Sequence, residues 1–94
     1  MAHLLVHHHV EDYKKWRPLF NEHGKVRSEG GSKSGIIFRS ANDPNEIFAL
    51  FEWDSVENAK KFAQSDSLKE TMKKAGVQGI PDVYFIEEIG KTPA

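Results

Sequence analysis

Ile47-Phe48-Ala49-Leu50-Phe51-Glu52-Trp53 decides the fold. Side chains alternate across a strand, and this stretch is apolar on both sides of that alternation. Strands of this kind are covered on both faces. Just upstream, Asn42-Asp43-Pro44-Asn45 is a turn signal. Before the turn, Gly35 to Ser40 reads as a partner strand carrying Ile36, Ile37 and Phe38, which together make a hairpin. Just downstream, Asp54 and Glu57 have the spacing of a capping box that opens a helix. Val56, Ala59, Phe62 and Ala63 face inward from it.

Further from this centre, Leu4 to Val10 reads as a first strand. Leu4, Val6, His8 and Val10 share one face, and His3, Leu5, His7 and His9 the other. Asp12 is a good N-cap for a helix running to about Ser28. Tyr13, Trp16, Leu19, Phe20, His23 and Val26 recur on it at helical spacing. Pro18 lacks a backbone donor, which predicts a kink or a regular helix starting only near Arg17. Gly30-Gly31 ends the element. Ser67 and Glu70 offer a second capping box for a shorter helix with Leu68, Met72 and Ala75 inside and Gly76 as its stop. Pro81 precedes a last strand, Val83 to Ile89.

The order β-α-β-β-α-(α)-β predicts an α+β, ferredoxin-like domain over residues 1–94: an antiparallel four-stranded sheet with helices on one face. Helices for one face leave the apolar second face uncovered. Its simplest cover is a second copy of the chain, so a homodimer is expected.

Composition narrows the function classes. There is no cysteine, so disulfides, thiolate metal sites and cysteine nucleophiles are excluded. Thirteen basic and 14 acidic residues give a net charge of −1, with no electrostatic reason to bind nucleic acid or an anionic membrane. No long uncharged apolar run is present and no signal-like N-terminus is seen, so a cytoplasmic protein is expected. No glycine-rich nucleotide loop, nucleophile elbow or H-E-x-x-H motif occurs, so no cofactor is expected.

Several stretches resemble one family. They are Val10-Glu11-Asp12-Tyr13, Trp16 with Phe20-Asn21-Glu22-His23-Gly24, the hairpin around Asn42-Asp43-Pro44-Asn45-Glu46, Phe51-Glu52-Trp53-Asp54, and Pro81-Asp82-Val83-Tyr84-Phe85. Across nearly the whole chain the sequence is similar to small bacterial and archaeal proteins of the dimeric α+β barrel superfamily, labelled cyclase-like or antibiotic-biosynthesis-monooxygenase-like. The resemblance implies a ferredoxin-like protomer whose sheet packs on its partner's sheet, with a ligand between sheet and helices. Relatives in that superfamily include cofactor-free monooxygenases, haem-degrading enzymes, isomerases and polyketide cyclases. The resemblance brings no catalytic residue set that maps onto this chain.

His8 and His23 are the expected catalytic pair: strand parity aims one, and helical phase the other, into the layer between sheet and helices. An imidazole there could move a proton, or be a buried histidine held by a backbone carbonyl. Arg27, one turn after His23, could hold an anionic group, pair with a carboxylate such as Glu52, or snorkel to water. Gly24 could permit close approach of a ligand or of the sheet. Trp16, Phe20, Phe38, Trp53 and Tyr84, with Phe48, could line a pocket for a planar molecule or be ordinary core. His7 and His9 have a metal-pair spacing, with His3 further along, but a site needs at least one more ligand and no acidic cluster nearby supplies it, so a polar barrel rim or a dimer contact is expected there and no metal.

Three functions compete. The first is a cofactor-free monooxygenase, or a cyclase or isomerase, acting on an aromatic or polyketide-like molecule through an enolate or phenolate. His8 or His23 would be the base, and Arg27 or Tyr84 would steady the anion. The second is a non-catalytic binding or structural dimer. The third is an RNA-recognition domain, which shares the element order. It is disfavoured because strand 1 has no aromatic residue and strand 3 opens with Asn45-Glu46-Ile47.

Overall fold

The computed structural model describes residues 2–94. Four strands and four helices follow in the order β1 (Ala2–Val10), α1 (Tyr13–Glu22), α2 (Gly24–Gly30), β2 (Ser32–Arg39), β3 (Glu46–Trp53), α3 (Val56–Ala63), α4 (Asp66–Lys74) and β4 (Val77–Glu87). The sheet is antiparallel with strand order β2-β3-β1-β4. This is the expected α+β, ferredoxin-like architecture, and its central strands β1 and β3 are the two with alternating buried positions.

One face of the sheet is sealed by the helices. Leu4, Val6, His8 and Val10 of β1 and Ile47, Ala49, Phe51 and Trp53 of β3 are buried there. Leu4, Val6, Ala49, Phe51 and Trp53 meet Ala59 and Phe62 of α3. Val10 and Ile47 meet Trp16 of α1 and Ala75 just after α4. The other face is open. Pairing aligns Phe38 with Phe48, Ile36 with Leu50 and Tyr84 with Leu5 on it. Ile36, Phe38, Tyr84 and Ile86 remain 41–56% exposed.

The local devices differ from the expected ones at several points. The single helix from Asp12 to Ser28 is two helices. Asp12 does cap α1, its carboxylate accepting from the Lys14 amide. His23, at φ −75° and ψ −5°, then ends α1 and begins α2. The change of phase leaves Val26 39% exposed rather than on the buried arc. Regular helix begins at Tyr13, not Arg17, and carries Pro18 inside. Ser55, not Asp54, caps α3, because its hydroxyl accepts from the Asn58 amide while the Asp54 carboxylate takes the Asn58 side chain. Ser65, not Ser67, caps α4, accepting from the Leu68 amide. β2 starts earlier, at Ser32. β4 runs from Val77 and ends before Ile89. Gly79 and Pro81 fall inside β4, which is an edge strand, where a bulge absorbs them. The register with β1 shifts there, between His7 and His9.

Candidate functional site

Between sheet and helices lies a cavity of about 40 Å³. β1 and β3 form its floor with Val6, His8, Ala49 and Phe51. Trp16 and Phe20 of α1, Phe62 of α3 and Leu68, Thr71 and Met72 of α4 enclose it, with His23 and Arg27 at the α1–α2 corner. A single water needs roughly 10–15 Å³ of such space, so the cavity has room for two or three waters. A drug-sized ligand needs several hundred Å³, so it would enter only as the helices move off the sheet.

His8 sits at the centre of the floor. It is 6% exposed, and its Nδ1 is fully buried with no hydrogen-bond partner. The backbone carbonyl expected to hold it is not there. The bulge in β4 falls opposite His8, which has no register partner on that strand. Its ring meets Trp16 edge-on, centroids 5.6 Å apart. Burial in these apolar walls, reinforced by neighbouring His7, pushes the imidazole down to about 4. His8 is therefore neutral at physiological pH, with an unsatisfied nitrogen of a kind that costs about 1–3 kcal/mol to bury.

His23 is 8% exposed, and its Nε2 lies 3.0 Å from the Ser67 hydroxyl of α4. The residue that failed to appear as a cap is thus the partner of this histidine. Burial lowers the His23 pKa, and the nearby Arg27 cation lowers it further. His23 is the more structural of the two: it joins α1 to α2 and ties that joint to α4.

Arg27 supplies positive charge. Its guanidinium carbon lies 3.8 Å from the Phe20 ring centroid and 5.4 Å from that of Phe51. One Nη donates to the Phe20 carbonyl at 2.9 Å. Burial pushes it down to about 10, so it keeps its charge at neutral pH. Among the described residues no carboxylate oxygen lies within 4 Å of it. The pairing with Glu52 is not made, because Glu52 has the parity of Phe48 and Leu50 and stands on the open face opposite His3.

The structure therefore gathers His8, His23, Trp16, Phe20 and Arg27 around one cavity. Trp53 lies deeper, fully buried against Phe62 at 5.2 Å, and does not line it. Phe38, Phe48 and Tyr84 stand on the opposite face of the sheet. Phe51, Phe62 and Thr71 are lining residues that sequence reading had not marked for the site. For Phe51, the parity shared with Ala49 was the available signal.

His7 and His9 stand on the open face. Contrary to the sequence expectation, carboxylates do lie beside them, brought from other strands and the hairpin. His7 bridges Glu46 at 2.9 Å and Asp82 at 3.1 Å and stacks on Phe48 at 4.4 Å. His9 bonds Asp43 at 2.6 Å. Hydrogen bonds to Glu46 and Asp43, respectively, raise their pKa values. Among the described residues no group of three or more histidine, aspartate or glutamate side chains has the arrangement of a metal site. No described helix is long and apolar enough to cross a membrane.

No family model and no curated protein matches the sequence. Solved structures do match the fold. A candidate antibiotic biosynthesis monooxygenase from Bordetella bronchiseptica superposes with a TM-score of 0.77 at 16% identity, covering 94% of this chain and 96% of the other. SnoaB, a cofactor-independent oxygenase from Streptomyces nogalater, gives 0.78 at 8% identity, covering 99% and 97%. A conserved protein from Methanosarcina mazei Go1 gives 0.62 at 14% identity, covering 93% and 91%. With four antiparallel strands in the order β2-β3-β1-β4 and all helices on one face, the chain has the ferredoxin-like α+β fold of the antibiotic-biosynthesis-monooxygenase structures.

Proposed function

We propose that this protein is a homodimeric, cofactor-independent oxygenase acting on a small phenolic or otherwise enolisable molecule bound between sheet and helices. The observation that carries the reading is His8: a neutral imidazole in an apolar cavity, with a buried nitrogen that nothing in the chain satisfies. Arg27 adds a cation on the same cavity wall with no carboxylate to neutralise it. Together they suit removal of a proton and retention of the resulting anion. The likeness in fold to a cofactor-independent oxygenase supports the reaction class.

A closed-shell organic molecule and triplet oxygen do not combine directly. An enolate can transfer one electron to oxygen, and the resulting radical and superoxide then couple. Loss of water from the peroxide leaves a carbonyl, so that R₂CH₂ + O₂ gives R₂C=O + H₂O. His8 takes the first proton. Its low intrinsic basicity rises once an anion sits beside it, because an opposite charge favours the imidazolium. Arg27 holds the developing negative charge, and the apolar walls keep bulk water away from the superoxide.

The open sheet face supports the dimeric part of the reading. An open sheet face carrying Ile36, Phe38, Tyr84 and Ile86 is the kind of patch that a second copy buries by two-fold pairing. The 40 Å³ volume favours one other reading, a binding module that opens for its ligand without catalysis. Oxygen uptake by metal-stripped protein with a panel of polyphenols and enolisable ring ketones separates the two. The oxygenase reading expects uptake matched by a product gaining one oxygen and losing two hydrogens, abolished in His8→Leu. No uptake with any member of the panel, or equal uptake by His8→Leu, overturns it.

A further inference from the structure

A second cavity opens on the outer side of the wall made by Phe20, Arg27 and Phe51, residues that line both spaces. It is a cleft of about 280 Å³ between the α1–α2 corner and the edge strand β2. Its charged lining consists of Arg17, Arg27 and Lys33, and no acidic residue contributes to it. That bias is local, since the chain as a whole has 13 basic and 14 acidic residues. The bonds these arginines make leave their charge uncompensated. Arg17 donates to the Asn21 side-chain oxygen at 3.0 Å and to the Tyr13 hydroxyl at 2.7 Å, both neutral. Arg27 donates to a backbone carbonyl. Among the described residues no carboxylate oxygen lies within 4 Å of any of the three cations.

The backbone is shaped to keep the cleft open. The β2–β3 register shifts between Ser32 and Ser34, which leaves Lys33 as the extra residue of an irregularity, the device that re-aims a side chain at a strand edge. At Gly35 a Cβ would stand 2.8 Å from the Phe51 ring, so any other residue would displace the wall. At Gly24 a Cβ would stand 3.2 Å from an Arg27 Nη, so glycine there gives the guanidinium its room against Phe20. Phe20, Phe51 and Ile37 form the apolar wall, and Ser28, Ser32 and Ser34 complete the lining.

We infer that this cleft binds a small organic carboxylate bearing one planar ring, its carboxylate held by Arg27 with Arg17 and Lys33 and its ring against Phe20, Phe51 and Ile37. A planar guanidinium already stacked on an aromatic ring presents its donors as a fork that matches a carboxylate. The cleft is just under the usual range for small-molecule pockets, about 300–1,000 Å³, which sets the ligand at single-ring size. The cleft shares the Phe20–Arg27–Phe51 wall with the cavity of the proposed reaction, but His8, the proposed base, does not line it.

Benzoate titrated into the full-length protein, followed through backbone amide NMR shifts, tests the inference. Benzoate is expected to shift the amides of Gly24, Ser34 and Gly35, and benzamide, the uncharged isostere, is not. The double variant Arg17→Gln/Lys33→Gln changes two exposed side chains and should fold as the parent does. It is expected to weaken benzoate about tenfold or more, as loss of two charge-assisted contacts implies. His8→Leu is expected to bind benzoate unchanged, so failure of the oxygenase reading and failure of this site are told apart. Equal binding of benzamide, tighter binding of phenyl phosphate, an unweakened double variant or shifts absent from the cleft would each overturn the assignment.

Discussion

Replacing His8 by leucine should change how stability depends on pH more than it changes stability at neutrality. Burial holds the folded-state imidazole at about 4, against 6.5 in an unfolded chain. Between those values the unfolded state takes up a proton that the native state refuses, so stability must fall as pH falls through that window. It is fully retained above 6.5. At 1.36 kcal/mol per unit, the drop is worth about 3 kcal/mol, a large share of the 5–15 kcal/mol typical of a domain. Other groups do not mask it. His7 and His9 have raised pKa values, so their stabilisation is complete below 6.5 and is lost only as pH rises through their folded values. Asp43 is lowered from 3.8, and its contribution is lost only in stronger acid. His23 is also lowered and acts in the same direction as His8, but it is present in both proteins.

The assay is urea unfolding of parent and variant between about pH 7 and about pH 4, at one protein concentration so that assembly does not intrude. The parent should lose about 3 kcal/mol more than His8→Leu over that interval. At neutral pH the variant should match or exceed the parent, since leucine replaces a buried nitrogen that bonds nothing. Parallel pH profiles would refute the buried, neutral imidazole. A loss above about 1 kcal/mol at neutrality would show that Nδ1 has a partner after all.

Two further outcomes follow from the packing. Light scattering at micromolar concentration should give the mass of two chains, and Phe38→Glu on the open face should give one. Dimers of this sheet-to-sheet kind bury on the order of 2,000 Å² or more, and a stable monomeric parent would rule out the pairing. Trp16 is 3% exposed and packs between His8 and Phe20, so Trp16→Ala should cost about 3–5 kcal/mol in denaturant unfolding. A cost under about 1 kcal/mol would contradict that packing.

How much of this was legible in the sequence depended on the range of the interaction. Alternation along β1 was enough to send His8 beneath the helices and His7 and His9 away from them. Helical spacing was enough for Trp16, Phe20 and His23, because the first two precede the break between α1 and α2 and His23 stands at it. Val26 follows it and was misplaced. The capping-box spacings pointed to Asp54 and Ser67, one and two residues from the true caps Ser55 and Ser65, whose hydroxyls meet the Asn58 and Leu68 amides. Phe38 and Tyr84 needed the register across strands, which no local pattern encodes. The carboxylate partners of His7 and His9 are 34 to 75 residues distant, and the nearby Glu11 and Asp12 are not among them. Glu52 is different: its parity with Phe48 and Leu50 already placed it away from Arg27.

The alternation of β1 has a chemical consequence beyond packing. Three consecutive histidines on one strand are sorted by parity into opposite electrostatic settings less than two residues apart. His7 and His9, beside carboxylates on the open face, are biased toward the imidazolium. His8, on the apolar floor, is biased toward neutrality down to about pH 4. As pH falls from neutrality toward that value, the open face gathers protons and its His–carboxylate bridges tighten while the cavity gathers none. On the oxygenase reading, an imidazole positioned this way is unprotonated when a substrate arrives, and only the anion formed beside it makes proton uptake favourable. Proton transfer is then coupled to the presence of substrate rather than to the pH of the surroundings. A His8→Gln variant separates that role from simple polarity: it retains a buried hydrogen-bonding group but cannot carry the proton. The oxygenase reading expects it to be as inactive as His8→Leu, whereas retained oxygen uptake by His8→Gln would assign His8 to orientation of the substrate and remove it as the base.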